Sequence, residues 1–246
     1  MAENENKDMS RRRFLKNSGY VAGGVIGGGI IGSLTGINFN PEETSDSSDT
    51  SPKYSNALMY FSNREHFDIL SAACERIYPE DDNGPGAIKL DAPYFIDHQL
   101  AGAYGNNTNE YMQGPFKEGS PYQGYQTRLK RHEIYMQGIL ELETQSKKKH
   151  DEKFVDIEDD DKDDLLSEFE SGDIKMKGVK SSDFFNLLLS ATLAGVYADP
   201  LYGGNAGKEG WKMKEYPGSQ MSYTSEIEEK DFVKMKPQSL TEHINK

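Results

Sequence analysis

Apolar residues along this chain recur at helical spacing, with no alternating strand pattern of useful length. Phe67, Leu70, Cys74 and Ile77 form one stripe, the signature of an amphipathic helix. Ser62-Asn63-Arg64-Glu65 precedes it as a capping box, in which Ser62 accepts from the third helical amide and Glu65 reaches back. Pro79 stops that helix, and Asp81 to Gly86 is a dense turn signal. A second helix is predicted from Asp91, with Pro93 in its first turn, presenting Tyr94, Phe95, Leu100 and Tyr104 and ending at Gly105. Residues 105–122 are a polar Gly/Asn/Pro-rich loop whose length suggests function or an interface. A long amphipathic helix is predicted from Tyr122 to Lys149 through Tyr125, Leu129, Met136, Ile139 and Leu140, with Lys147-Lys148-Lys149 at its negative end.

Ser181 to Val196 has a different pattern. Phe184, Phe185, Leu187, Leu188, Leu189, Leu193 and Val196 leave little polar face. A helix apolar nearly all round lies at the centre of a core or beneath a partner. It ends at Asp199-Pro200, and glycines crowd the next stretch to Gly218, marking backbone with positive φ or very close packing. The fold class is therefore mainly α: a single irregular helical domain, residues 57–220, with long Gly/Pro-rich loops. Residues 38–56, rich in Asp, Glu, Ser, Thr and Pro, read as a disordered linker. Residues 221–246 read as a polar C-terminal tail.

The N-terminus changes the picture. Ser10-Arg11-Arg12-Arg13-Phe14-Leu15-Lys16 precedes a weakly apolar run from Gly19 to Ile37 that contains eight glycines. Cations followed by about 18 uncharged residues form an export signal rather than part of a core. At every fixed position the motif resembles the twin-arginine translocation consensus, carried here by Arg11, Arg12, Phe14 and Leu15. That resemblance implies a chain exported already folded, through the twin-arginine translocon. No A-x-A cleavage site follows, so residues 1–37 are read as a signal or an N-terminal anchor. About 18 residues of helix reach roughly 27 Å, just the depth of a bilayer core.

Charge and cysteine content narrow the function classes. Residues 1–16 carry net +2 against −13 for the whole chain, so the remainder carries −15. Such a surface lacks the basic stripe of a nucleic-acid binder. Cys74 is the sole cysteine, which leaves no intrachain disulfide and no haem-attachment motif. It is placed on the buried face of its helix. The acidic run Asp156–Asp164 fails the EF-hand pattern, since starts at Asp156 or Asp159 put Asp rather than Gly at the sixth position. The run is read as solvated surface and helix N-terminal charge.

No catalytic constellation stands out. His66, His98, His132, His150 and His243 form no zinc-binding pair, and neither a P-loop nor a nucleophile elbow is present. Gly203-Gly204-Asn205 invites a phosphate-cradle reading, but it follows a helix and a proline rather than a strand, which favours a structural loop.

Two groups of residues carry a family resemblance. One is Ala72-Ala73-Cys74-Glu75-Arg76-Ile77-Tyr78-Pro79 with Gly84-Pro85-Gly86-Ala87. The other is Phe184-Phe185, Asp199-Pro200-Leu201-Tyr202-Gly203-Gly204-Asn205, Gly210-Trp211 and Tyr216-Pro217-Gly218. Together, over about residues 61–218, the chain resembles the gluconate 2-dehydrogenase small (gamma, or subunit 3) family. The resemblance implies an accessory role: a large flavin subunit of the glucose–methanol–choline type holds FAD and oxidises an alcohol or sugar acid. A cytochrome c subunit often takes the electrons. The small subunit would then stabilise the flavin subunit and accompany it through export to the extracytoplasmic face of the membrane. On this reading the chain itself holds no catalytic, cofactor or metal residues. Phe184, Phe185, Tyr202, Gly203, Gly204, Asn205 and Trp211 are the candidate partner interface, with the closing of the helical core as the alternative role. The alternative function is a stand-alone exported, membrane-anchored binding protein.

Overall fold

The computed structural model describes residues 57–231 and 233–244. The predicted signal or anchor (1–37) and linker (38–56) lie outside the described residues. Within them the fold is helical, with isolated bridges in place of strands. Five principal helices build the domain: α1 (Arg64–Ile77), α2 (Ala92–Ala101), α3 (Arg131–His150), α4 (Asp159–Ser171) and α5 (Ser181–Tyr197). Two short ones follow, α6 (Glu209–Met213) and α7 (Leu240–Ile244).

The α1 stripe is buried as its spacing predicts, with Phe67, Leu70, Cys74 and Ile77 all in the core. Its cap differs from the predicted box. Asn63, one residue later than Ser62, accepts from Glu65 N–H at 2.9 Å, while the Glu65 carboxylate turns to Lys153 Nζ at 3.0 Å. An Asn side chain next to the first turn serves the orphan amide as well as Ser does, so the helix begins one residue further on. Helix α2 starts at Ala92 with Pro93 in its first turn, and it stops at Ala101 rather than continuing to Gly105.

The helix predicted over 122–149 forms only from Arg131. One glycine conformation and two hydrogen bonds hold the preceding residues as a loop. Gly124 takes φ 69° and ψ −173°, Thr127 Oγ1 donates to Gly178 O at 2.6 Å, and Leu129 N–H donates back to Thr127 Oγ1 at 3.2 Å. Glu133 then caps the true start by accepting from Lys130 N–H at 2.8 Å. Tertiary bonds override a helical hydrophobic pattern here.

The acidic run is not all solvated. Asp159, Asp160 and Asp161 occupy the first turn of α4, where negative charge suits the helix dipole. Asp163 points inward at 3% exposure. Arg76 of α1 clamps it with two parallel bonds, Nε to Oδ1 at 2.8 Å and Nη2 to Oδ2 at 2.7 Å, and reaches Asp159 Oδ2 with Nη1 at 2.6 Å. This bidentate clamp joins α1 to α4.

Helix α5 is the axis of the domain, packed against α1, α2, α3, α4 and α6. That ring of neighbours explains its apolar circumference. Phe184 lies fully buried, edge-on to Tyr135 (centroids 5.9 Å apart) and to Phe169 (5.6 Å). Gly138 of α3 makes the room: a β-carbon there would stand 2.3 Å from the Phe184 ring. The polar C-terminal stretch returns to the domain, since Ser219 N–H donates to Gln238 O at 2.8 Å and Gln238 N–H to Pro217 O at 3.1 Å.

Candidate docking turn at the end of the central helix

The Gly-rich segment after α5 is a rigid frame with one outward turn. Asp199 Oδ1 accepts from Leu201 N–H at 3.0 Å and so caps the 3-10 turn Pro200–Tyr202. Proline at its first position supplies the required φ. Gly203 at φ 92° reverses the chain, with its N–H donated to Pro200 O at 3.1 Å. Gly204 lies so close to α5 that a β-carbon would stand 2.2 Å from Gly195 O, and Gly210 is equally close to Val196 O. These glycines are required because the loop backbone packs directly on the helix backbone.

Asn205 ties the frame together. It is fully buried in the left-handed region at φ 51°. Its Nδ2 donates to Ala198 O at 2.9 Å, and its Oδ1 accepts from Gly210 N–H at 2.8 Å. Trp211, 5% exposed, donates Nε1–H to Tyr197 O at 2.8 Å and stacks edge-on with Tyr216 at 5.4 Å. Gly203 N–H and Ala206 N–H are both used within the chain, the latter by Leu90 O at 3.1 Å. The phosphate-cradle reading therefore lacks these donors, and the structural loop accounts for them.

The candidate interface residues divide sharply. Phe184, Phe185, Asn205 and Trp211 face into this chain, and Gly203 and Gly204 are buried with them. Tyr202 alone of the seven faces out, at 51% exposure, with Leu201 beside it at 45%. The core role thus accounts for the buried members, and of the candidate residues only Tyr202 is on the surface. Leu201 was legible only as part of the motif, since a lone leucine after a proline carries no outward signal. Arg11, Arg12, Phe14 and Leu15 lie outside the described residues.

The turn sits beside the place where the described chain begins. His98 Nε2 is 2.8 Å from Ala57 O, and a β-carbon on Gly203 would stand 3.0 Å from His98 Nδ1. Next to His98, the fully buried Asp97 carboxylate accepts from three successive amides, Met59 at 2.5 Å, Tyr60 at 3.1 Å and Phe61 at 2.9 Å. Three amides satisfy a buried carboxylate without a cation. Met59 itself is exposed at 67%. Chain entry and outward turn share one end of the bundle.

The long 105–130 loop is anchored at its root by Arg131, whose guanidinium lies 4.4 Å from the Tyr104 ring centre and pairs with Glu110. Asn107 links the same groups, accepting from Arg131 N–H and donating to Glu110 Oε2, each at 2.8 Å. Two clefts of about 280 and 660 Å³ flank the loop. In the larger, burial raises the Asp183 carboxyl above its ordinary range. Burial also pushes the Cys74 thiol up to about 12, so it is a packing group rather than a nucleophile. Among the described residues no group of His, Cys, Asp and Glu is placed to hold a metal ion, and no helix is long and apolar enough to cross a membrane.

The organised feature of this surface is an outward Leu201–Tyr202 turn on a closely packed helical frame. The sequence profile of the gluconate 2-dehydrogenase subunit 3 family matches residues 64–218, and the chain belongs to that family. The match ends at Gly218, where the frame closes on Trp211. No curated protein and no solved structure matches the chain.

Proposed function

We propose that this chain is the small, non-catalytic subunit of an FAD-dependent alcohol or sugar-acid dehydrogenase complex. Its partner is a flavin subunit of the glucose–methanol–choline type, which carries the FAD, and a cytochrome c subunit receives the electrons. The chain stabilises the flavin subunit and accompanies it through the twin-arginine translocon to the extracytoplasmic face of the membrane. The observation that carries this reading is family membership over residues 64–218. The Arg11-Arg12 motif supports the export step.

The Leu201–Tyr202 turn is the docking surface. An amphipathic tyrosine on a preorganised turn gives contact area at small entropic cost. The buried Asn205 and Trp211 act from beneath by fixing the turn. The test is purification of the tagged chain from its native membranes under mild conditions, with a flavin spectrum and identification of co-purifying proteins. A stoichiometric flavoprotein partner is the expected result. A colourless, solitary chain from fully induced cells would refute the reading in favour of a stand-alone anchored binding protein.

A further inference from the structure

The segment beyond the family match makes contacts that a mere tail would not. The chain pairs with the domain at the Gly218–Gln238 bridge and then runs into α7, which packs on the Pro200–Tyr202 turn. Asp199 is shared between the two. Its Oδ1 caps the turn through Leu201 N–H at 3.0 Å, and its Oδ2 accepts from Leu240 N–H, the first residue of α7, at 2.9 Å. Across the frame, Lys208 Nζ donates to Pro237 O at 2.9 Å and to Glu242 Oε1 at 2.6 Å. Lys208 holds φ 62° and Asn205 φ 51°, a left-handed conformation that asparagine tolerates and lysine adopts rarely. Side chains on both sides of the outward turn, Asp199 and Lys208, are therefore bonded to the C-terminal segment.

We propose that residues 237–244 are a brace that presets the Leu201–Tyr202 turn for its partner. One carboxylate, Asp199, and one ammonium, Lys208, transmit the hold. The brace gives the turn its fixed shape before the partner arrives, so that ordering it does not draw on the binding free energy. This inference rests on the docking role given to that turn above, and the experiment separates the two.

Leu240→Pro removes the N–H that reaches Asp199, together with part of a half-buried side chain, without opposing the helix start, because proline suits the first position of a helix. Lys208→Met removes the second hold and keeps most of the side-chain stem. Each is made in the full-length chain, with Tyr202→Ala as a third variant. Amide hydrogen exchange is read at 201–203, and affinity is read against the flavin subunit purified with the chain. With both holds removed, exchange at 201–203 rises about tenfold or more, as expected for loss of local bonds of ordinary strength, while protection in α1 and α5 is unchanged. Affinity falls by the factor 1 + K, where K is the opening constant that exchange reports for the unbraced turn. Unchanged exchange at 201–203 overturns the brace, and so does an affinity loss that departs from that factor. Undiminished affinity of Tyr202→Ala in the braced chain instead overturns the docking role of the turn, and exchange alone then decides the brace.

Discussion

Asn205→Asp tests the frame with a change of a single atom. The wild-type amide orientation is fixed by its neighbours, since Ala198 O can only accept and Gly210 N–H can only donate. The substitution keeps the shape and the bond from Gly210, but sets a carboxylate oxygen 2.9 Å from Ala198 O in a fully buried site. Loss of one buried bond and an unsatisfied acceptor cost about 1–3 kcal/mol, and uncompensated charge brings the total to about 2–4 kcal/mol at pH 7. The new carboxyl can escape by keeping its proton and donating it to Ala198 O. Its folded-state pKa is then raised above the unfolded value of about 3.9. A group raised in this way contributes its full stability below about pH 4 and loses it as pH rises through the folded pKa. The difference between variant and wild type should therefore be small near pH 4 and widen towards pH 7. Urea denaturation followed by circular dichroism at several pH values measures that difference, and Asn205→Ala supplies a comparator that does not titrate. A loss independent of pH would refute the bonding assigned to Asn205.

Gly138→Ala should destabilise the fold by about 1–2 kcal/mol, because overpacking against the trapped Phe184 ring outweighs a helix-propensity gain of up to about 1 kcal/mol; a raised thermal midpoint would contradict the close approach. Arg76→Met should cost about 3–5 kcal/mol by leaving Asp163 buried and unpaired, and Arg76→Met with Asp163→Leu should regain much of it; equal costs for both variants in denaturant titration would argue against the clamp. Cys74 should resist alkylation in the native state, since a thiol raised from 9.0 to about 12 is only ~10⁻⁴ thiolate at pH 8. Its labelling rate should follow unfolding in urea, and rapid labelling without denaturant would disprove burial as the cause. The sign of its linkage is that stability held below about pH 9 is lost as pH rises towards 12.

Several of these features were readable from residue pattern alone. The α1 stripe declared itself because its four apolar residues share one face and all reach the core. The glycines after α5 declared the tight, positive-φ backbone found at Gly203 and Gly218. Other features depend on partners distant in sequence. Thr127 is held out of a helix by Gly178, 51 residues away, and Asp163 is drawn out of an acidic run by Arg76, 87 residues away. Local periodicity holds no record of either bond. Nor does it show that Leu240 binds Asp199 across 41 residues, which is why the C-terminal stretch reads as a tail.

The central helix bears most on where a partner can act. An apolar circumference fits two arrangements, a helix ringed by its own chain or one waiting for another subunit. Here five helices of the same chain surround α5, and Phe184 and Phe185 are already covered. A partner cannot gain by burying them again. Its binding free energy has to come from surface still exposed, and anchors of that kind are few and aromatic. Within the family-matched region near the end of α5, Tyr202 is such a residue, with Leu201 beside it. The buried motif residues Gly204, Asn205, Gly210 and Trp211 are explained by the same geometry, since each fixes the backbone from which Tyr202 projects. If the proposed docking role holds, a substitution in the frame should weaken binding by displacing the turn, whereas Tyr202→Ala should weaken it while leaving stability nearly unchanged.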